Sequence, residues 1–387
     1  MSAKFIPYGK QWIDEEDIAA VVDVLRSDYL TTGPKIEEFE EKFAHYVGAK
    51  YAVSISNGTA ALHAACFAAG IRLGDEVITT PITFAASANC ILYCSGTPVF
   101  ADIDEKTYNI DPVEIEKKIT ERTKAIIPVH YTGQPCDMNA IHRIAKSHNL
   151  LVIEDAAHAL GAKYEDKKIG SLSDMTTFSF HPVKHIATGE GGMITTNNEI
   201  LYKKLLLFRS HGIIRDIDLL ENRNEGSWYY EQQDLGYNYR MTDIQAALGI
   251  SQLKKLDDFL ERRIEIAAMY NEAFRDIDEI TIPYQADRSK SSWHLYVIKL
   301  NLDRMRIDRK EMFRLIQRER IGVNIHYIPV YYFPYYQKLG YEQGICPKSE
   351  SFYESIITLP LFPKMSDEDI LRIIKTIISL IEKWKIK

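Results

Sequence analysis

The sequence predicts an α/β protein built on a mainly parallel central sheet, with a smaller α+β domain toward the C-terminus. Three observations predict it. From residue 51 to about 200, short apolar, β-branched runs alternate with helical stretches. Near residue 280 that alternation gives way to separate strand-like and helix-like segments. A chain of 387 residues is also too long for one simple core. Two packed domains are therefore expected: a large one over residues 1–250, then a long connecting helix and a small domain over 251–387.

After an extended start, residues 14–26 have helical spacing, with Ile18, Val21, Val22 and Leu25 on one side and Asp14 placed to cap. The run Leu30-Thr31-Thr32-Gly33-Pro34 breaks that helix, and a second is expected over 35–47, ending before Gly48. Strands are expected at 51–54, 76–79, 97–101, 125–128, 151–154, 175–180 and 192–195. Residues 213–235 are charged and irregular, carry Trp228-Tyr229-Tyr230, and read as a surface excursion. A long helix should then run from Thr242 through Ala268 and beyond. Its Lys254-Lys255 and Glu261-Arg262-Arg263 clusters read as a solvated face. Beyond the change of pattern, 293–301 and 322–325 read as strands, and 309–319 and 366–384 as helices.

Hydrophobic residues make up 46% of the chain and charged residues 26%, the balance of a soluble globular enzyme. The formal net charge of −7 argues against nucleic acid as a partner, although a local basic pocket can still hold an anionic substrate. The five cysteines are scattered and form no Cys-x-x-Cys, so neither a disulfide framework nor a metal site is expected. There is no signal-peptide pattern and no apolar run long enough to span a bilayer, so a cytoplasmic protein without a membrane partner is expected.

The chemistry gathers around one lysine. Lys184 lies in a loop of Ser, His, Pro and Gly between two strand-like segments, from Ser179-Phe180-His181-Pro182-Val183 to Gly189-Glu190-Gly191-Gly192-Met193. A lysine enclosed there loses proton affinity, and its neutral amine can condense with a carbonyl. A solvated loop lysine is the plain alternative. A second anchor is Leu150-Leu151-Val152-Ile153-Glu154-Asp155, a buried parallel strand ending in two acids, where ligands of open α/β sheets sit. A carboxylate at one strand end and a carbonyl-binding lysine after a later one suit pyridoxal phosphate: Asp155 would keep the ring nitrogen protonated and Lys184 would carry the aldehyde. The third anchor, Ser56-Asn57-Gly58-Thr59-Ala60-Ala61, runs from a strand into an alanine-rich helix and offers free N–H groups to a phosphate.

With Leu30-Thr31-Thr32-Gly33-Pro34, Thr80-Pro81-Ile82-Thr83-Phe84-Ala85-Ala86-Ser87, Asp155-Ala156-Ala157-His158 and Gly236-Tyr237-Asn238-Tyr239-Arg240, these strings resemble the DegT/DnrJ/EryC1/StrS family over nearly the whole chain. The resemblance implies fold type I, pyridoxal 5′-phosphate as cofactor, and transfer of an amino group from L-glutamate to a nucleotide-linked ketosugar. Within the family, the Ser-Phe-His-Pro-Val-Lys and Ile325-His326-Tyr327 strings resemble the branch that aminates C4 of a UDP-linked 4-keto-6-deoxy-N-acetyl-hexosamine on the route to pseudaminic acid. Another nucleotide 4- or 3-ketosugar, dTDP- or GDP-linked, is the alternative substrate. A non-catalytic cofactor-binding regulator is the rival from a different class, although the chain carries no DNA-binding extension. The resemblance carries over Lys184 and Asp155 as catalytic residues. For the cofactor it carries over Gly58, Thr59, Phe84, Asp155, His158, Ser179, Lys184 and Asn238. Phe84 would stack on the ring, with ordinary core packing as its alternative. Asn238 would reach the neighbouring subunit's phosphate site, which implies a homodimer with shared active sites. For substrate it carries over Tyr8, Asp28, Tyr29, Leu30, Thr31, Asn324, Ile325, His326 and Tyr327, with Tyr8, Tyr29, His326 and Tyr327 gathered over one pocket mouth. His181 and His185 receive no role.

Overall fold

Seven strands of four or five residues form the central sheet: β1 (Tyr51–Ile55), β2 (Glu76–Thr79), β3 (Thr97–Phe100), β4 (Thr123–Ile127), β5 (Leu151–Asp155), β6 (Met175–Ser179) and β7 (Gly192–Thr196). This computed structural model describes residues 4–223 and 225–386. The first three residues of the expected extended start and Asn224 of the expected excursion lie outside it. The strand order is β1-β7-β6-β5-β4-β2-β3. Every pairing is parallel except those of β7, which runs antiparallel to both β1 and β6. The strands fall within two residues of the expected spans, because runs buried on both faces read as nearly continuous apolar sequence.

Alternation along the strands sorts their side chains into two cores. Ile78, Ile126, Val152, Phe178 and Met193 pack with Phe39 and Phe43 of α2 (Pro34–Val47) on one face. Val53, Val77, Ile127, Ile153 and Ile194 pack on the other face against α3 (Gly58–Ala68), whose alanines let helix and sheet approach closely. Parallel register puts Asp155, at the end of β5, opposite Thr177 of β6. The carboxyl ends of these strands therefore open on the same edge.

The first helix, α1 (Glu15–Leu25), starts at a capping box in which Asp14 and Asp17 bond each other's backbone N–H at 3.1 Å. The expected single helix from Thr242 onward is two helices, α4 (Asp243–Lys254) and α5 (Leu256–Phe274). The break is at Lys255, whose ammonium reaches Asp14 at 2.7 Å and the buried Asp17 at 2.8 Å. Lys255 is thus tied to α1 rather than solvated. Arg263 is likewise only 1% exposed, against the expected solvated face.

A third core joins α5 with a small antiparallel sheet of β8 (Ile280–Thr281), β9 (Tyr296–Leu300) and β10 (Ile356–Leu359). Two further helices, α6 (Arg309–Arg318) and α7 (Asp367–Trp384), cover it. Ile6 belongs to this core although the sequence reading groups it with the large domain. The strand expected at 322–325 is reduced to isolated bridges, Ile6 with Ile321 and Asn324 with Thr358, because the N-terminal segment and β10 each claim one end of it. The described residues among 213–235 are largely exposed, and their one strand pairing is a two-residue ribbon, Ile213–Ile214 with Glu231–Gln232. Among the described residues, no helix is long and apolar enough to cross a membrane and no His/Cys/Asp/Glu cluster could hold a metal ion.

Candidate active site

At the carboxyl edge of the central sheet lies a pocket of about 830 Å³. Asp155 lines it as the last residue of β5, buried at 5% exposure. Its Oδ2 accepts from the Ser87 hydroxyl at 2.6 Å and its Oδ1 from the Ala157 N–H at 3.1 Å. Ser87 shares a further hydrogen bond with Thr83 Oγ1 at 2.7 Å. Two neutral donors on different segments thus fix the plane of the carboxylate and leave it facing the pocket.

Lys184 lines the same pocket from the loop after β6. That loop is closed by Phe180 N–H to Gly191 O (2.8 Å), Thr188 N–H to Phe180 O (2.9 Å) and Lys184 N–H to His181 O (2.8 Å). Burial pushes the lysine ammonium down to about 8; Asp155 opposes the shift and the buried Arg263 cation adds to it. Near neutrality the site therefore keeps a usable fraction of free amine, which a solvated lysine does not.

Along the same edge, β1 runs through Asn57 into α3. Asn57 caps the helix, its Oδ1 accepting from Ala60 N–H at 2.8 Å. Gly58 and Thr59, the first residues of the helix, line the pocket together with Ser179. A Cβ on residue 58 would stand 2.8 Å from Ser179 Cβ, so glycine is what lets the helix start sit against the serine. Free helical N–H groups and a hydroxyl make an anion cradle.

His158 follows Asp155 by three residues and is buried. Its Nε2 and the Tyr327 hydroxyl share a 2.9 Å hydrogen bond, while its Nδ1 has no partner. Burial holds it well below the usual imidazole range, with Lys184 next in effect, so the ring is neutral. An anion cradle, a carboxylate fixed by neutral donors, a lysine with accessible free base and an orphaned imidazole nitrogen together fit pyridoxal 5′-phosphate. Phosphate, ring nitrogen, aldehyde and ring substituents each find a matching group.

The rest of the lining comes from far away in sequence. Tyr8, Asn324, Ile325, His326 and Tyr327 reach the pocket from the N-terminal segment and the small domain. His326 shares a 2.9 Å hydrogen bond between Nδ1 and Thr358 Oγ1, and its carbonyl accepts from the Tyr131 hydroxyl. Burial pushes its imidazole down to about 3. Tyr8 and His326 rings lie 5.6 Å apart. Phe84 is 63% exposed on the pocket wall, which rules out the ordinary-core reading.

One expectation is not met within one chain. Asp28, Tyr29, Leu30 and Thr31 do not line the pocket, and Tyr29 is not at its mouth. Their turn is drawn onto the start of α4, where Asp243 N–H donates to Leu30 O at 3.0 Å and Thr31 bridges Thr242. The Asp243 carboxylate also accepts from the Gly33 and Lys35 N–H groups. Asn238, expected to serve the neighbouring subunit's site, is exposed and lies outside this chain's own lining. Sequence reasoning missed Ser87, Asn57 and His294, all of which line the pocket. Ser87 and Asn57 sit inside strings that it quoted, one helical turn or one residue from residues it chose. His294 stands in an apolar strand-like run and gives no signal.

The description "DegT/DnrJ/EryC1/StrS aminotransferase family" belongs to the family profile that matches residues 11–378. The spore coat polysaccharide biosynthesis protein SpsC of Bacillus subtilis is 46% identical over 98% of this chain and 97% of its own. The UDP-4-amino-4,6-dideoxy-N-acetyl-beta-L-altrosamine transaminase of Campylobacter jejuni is 39% identical over 98% of each chain. Among solved structures, Helicobacter pylori PseC, an aminotransferase involved in the biosynthesis of pseudoaminic acid, superposes with a TM-score of 0.91. It is 34% identical, and the match covers 98% of this chain and all of that one.

Proposed function

Since the chain belongs to the DegT/DnrJ/EryC1/StrS family, and so is a pyridoxal-phosphate-dependent sugar aminotransferase acting on nucleotide sugars, we propose that it transfers the amino group of L-glutamate to C4 of a UDP-linked 4-keto-6-deoxy-N-acetyl-hexosamine. The observation that carries the site is the meeting of Lys184, Asp155 and the Gly58–Ser179 cradle in one pocket.

When bound, the cofactor supplies an electron sink and carries the amino group between donor and acceptor. Lys184 would hold it through its amine. The same amine would take the proton from Cα of glutamate and deliver one to C4 of the sugar. Asp155, held by Ser87 and the Ala157 N–H, would keep the ring nitrogen protonated. Gly58, Thr59 and Ser179 would hold the phosphate, Phe84 would cover the ring, and His158 would orient its substituents. Tyr8, Asn324 and Tyr327 would meet the sugar nucleotide, with aromatic faces for uracil or sugar and polar edges for hydroxyl and acetamido groups. One site serves both half-reactions, so kinetics should be ping-pong.

Thr31 bridges Thr242 and Asn238 bridges Ser210, and both Asn238 and the turn from Asp28 to Thr31 are exposed. We infer that they complete the site of a second copy, so the working unit is a homodimer.

The C4 and UDP assignments are supported by the likeness to the Campylobacter transaminase and to PseC. SpsC, at greater identity, is described only as a spore coat polysaccharide biosynthesis protein, and another nucleotide 4- or 3-ketosugar is the second reading. Comparing kcat/KM for UDP-linked N-acetylated 4-ketosugars with dTDP-linked, non-acetylated ones, with NMR locating the new amine, decides between them. A preference for the dTDP sugars, or amination at C3, would reject the first reading.

A further inference from the structure

One turn of chain supplies both the side-chain donor to Asp155 and the exposed ring on the pocket wall. Thr83 and Phe84 lead into the helix Ala86–Tyr93, and Ser87 lies in its first turn. The turn is closed by Ser87 N–H to Phe84 O at 3.2 Å and Asn89 N–H to Ala85 O at 2.8 Å. It buries Thr83 and Ser87, at 3% and 1% exposure, and leaves Phe84 exposed on the pocket wall. The two buried hydroxyls lie 2.7 Å apart, and Ser87 Oγ lies 2.6 Å from Asp155 Oδ2.

Proton counting gives these hydroxyls a direction. A carboxylate only accepts, so the single hydroxyl proton of Ser87 belongs to Asp155. The Phe84 carbonyl, at 3.3 Å, is the more distant and uncharged competitor for it. Ser87 then has no proton left for Thr83, so Thr83 donates to Ser87. The bonds run one way, from Thr83 to Ser87 to Asp155, and each polarises the next. Packing does not require the hydroxyls. Valine and alanine would fill these two buried positions with no polar atoms to satisfy. A serine in a helix ordinarily bonds its own backbone; here the closer partner is a carboxylate on another strand.

We propose that Thr83 and Ser87 are positioning residues for this reaction: a one-way pair of hydroxyl donors that fixes Asp155 as an acceptor toward the ring nitrogen, on the same turn that places Phe84 over the ring. The proposal rests on the reading of Asp155 as the partner of that nitrogen. A carboxylate already engaged by donors competes less for a partner's proton. The pair therefore keeps the proton on the ring nitrogen, where the electron sink needs it. Because one turn carries both groups, the nitrogen and the face of the ring are registered together.

The test is the NMR resonance of the ring nitrogen, read on the full chain reconstituted with pyridoxal 5′-phosphate isotopically labelled at that atom. Ser87→Ala should move the resonance toward that of the unprotonated ring. Thr83→Val keeps the volume and removes the hydroxyl, and should move it the same way by roughly 10–30% as much. Thr83→Ser, which keeps the hydroxyl, should hold the parent value. A parent resonance in both Ser87→Ala and Thr83→Val, with a displaced one in Asp155→Ala, would overturn the proposal and leave the reading of Asp155 standing. A parent resonance in Asp155→Ala would reject that reading and the proposal with it. Displacement in Thr83→Ser as large as in Thr83→Val would assign Thr83 to packing by its methyl group and also overturn the proposal. Should Ser87→Ala not fold, the two Thr83 variants decide by the same outcomes.

Discussion

The wall of the pocket made by strand ends and the wall made by the N-terminal segment and small domain differ in how firmly their side chains are held. On the first, Asp155 is fixed by Ser87 and the Ala157 N–H, and the Lys184 loop is closed by three backbone bonds. Gly58 lies against Ser179 with no room for a Cβ. On the second, Tyr8 meets His326 only through ring contact. The turn from Asp28 to Thr31 faces away altogether. Rigid, hydrogen-bonded groups on regular elements suit chemistry that must be reproduced at every turnover. Loosely held aromatics suit discrimination between sugars, where small changes of packing alter preference. The two walls should therefore fail differently.

The largest failure is expected on the first wall. Lys184→Ala removes the amine and the proton carrier at once, so turnover should fall by about 10³-fold or more. Far-UV circular dichroism should be unchanged, because the loop is closed by backbone bonds. Near-parent transamination without added amine would reject the assignment. Next comes Asn238→Ala, which touches neither wall of its own chain. Loss of one charge-assisted bond to phosphate should weaken cofactor retention about tenfold. Mixing this variant with Lys184→Ala subunits should restore activity, since one site of a mixed dimer is then intact. Verified heterodimers with no recovery would show that the site is not shared.

A third expectation concerns pH. Lys184 is pushed down from 10.5 to about 8, so the free amine dominates above that value and the ammonium below it. Cofactor uptake by the stripped protein should therefore rise about tenfold per pH unit on approach to 8 and level off beyond it. A flat profile from pH 6 to 9, followed by stopped-flow absorbance, would contradict an enclosed lysine.

The same contrast explains what the sequence disclosed. The strand-end wall was legible at its anchors, because each marks a change of local pattern: an acid ending an apolar run, or a capped helix start after a strand. The second wall depends on chain crossings that no local pattern encodes. Ile6 pairs beside Ile321, and Asp243 captures the backbone of residues 33 and 35 from two hundred positions away. Charge clustering misled in two places: Lys255 is tied to Asp14 and Asp17, and Arg263 is buried. Arg262 does face outward, reaching Glu265 and Asp367. Arg263, about 100° further round the helix, points into the core. Reading Glu261-Arg262-Arg263 as one solvated face averages over that rotation.

The smallest expected effect tests whether the two walls are independent. Tyr327 belongs to the substrate wall, yet its hydroxyl is bonded to His158 at 2.9 Å, one turn beyond Asp155. Tyr327→Phe keeps the ring, whose centroid lies 5.9 Å from that of His158, and removes only the bond. His158 then has two buried nitrogens without partners, since its Nδ1 already lacks one. Leaving a buried polar group unpaired costs about 1–3 kcal/mol, so a loss of roughly tenfold is expected. If His158 serves the cofactor, that loss should appear in kcat of both half-reactions, measured separately with glutamate and with the ketosugar. Tyr8→Phe, which disturbs the substrate wall alone, should instead raise KM for the sugar and leave the glutamate half-reaction unchanged. Should Tyr327→Phe also alter only the sugar KM, the bond to His158 carries nothing between the walls, and Tyr327 acts on substrate alone.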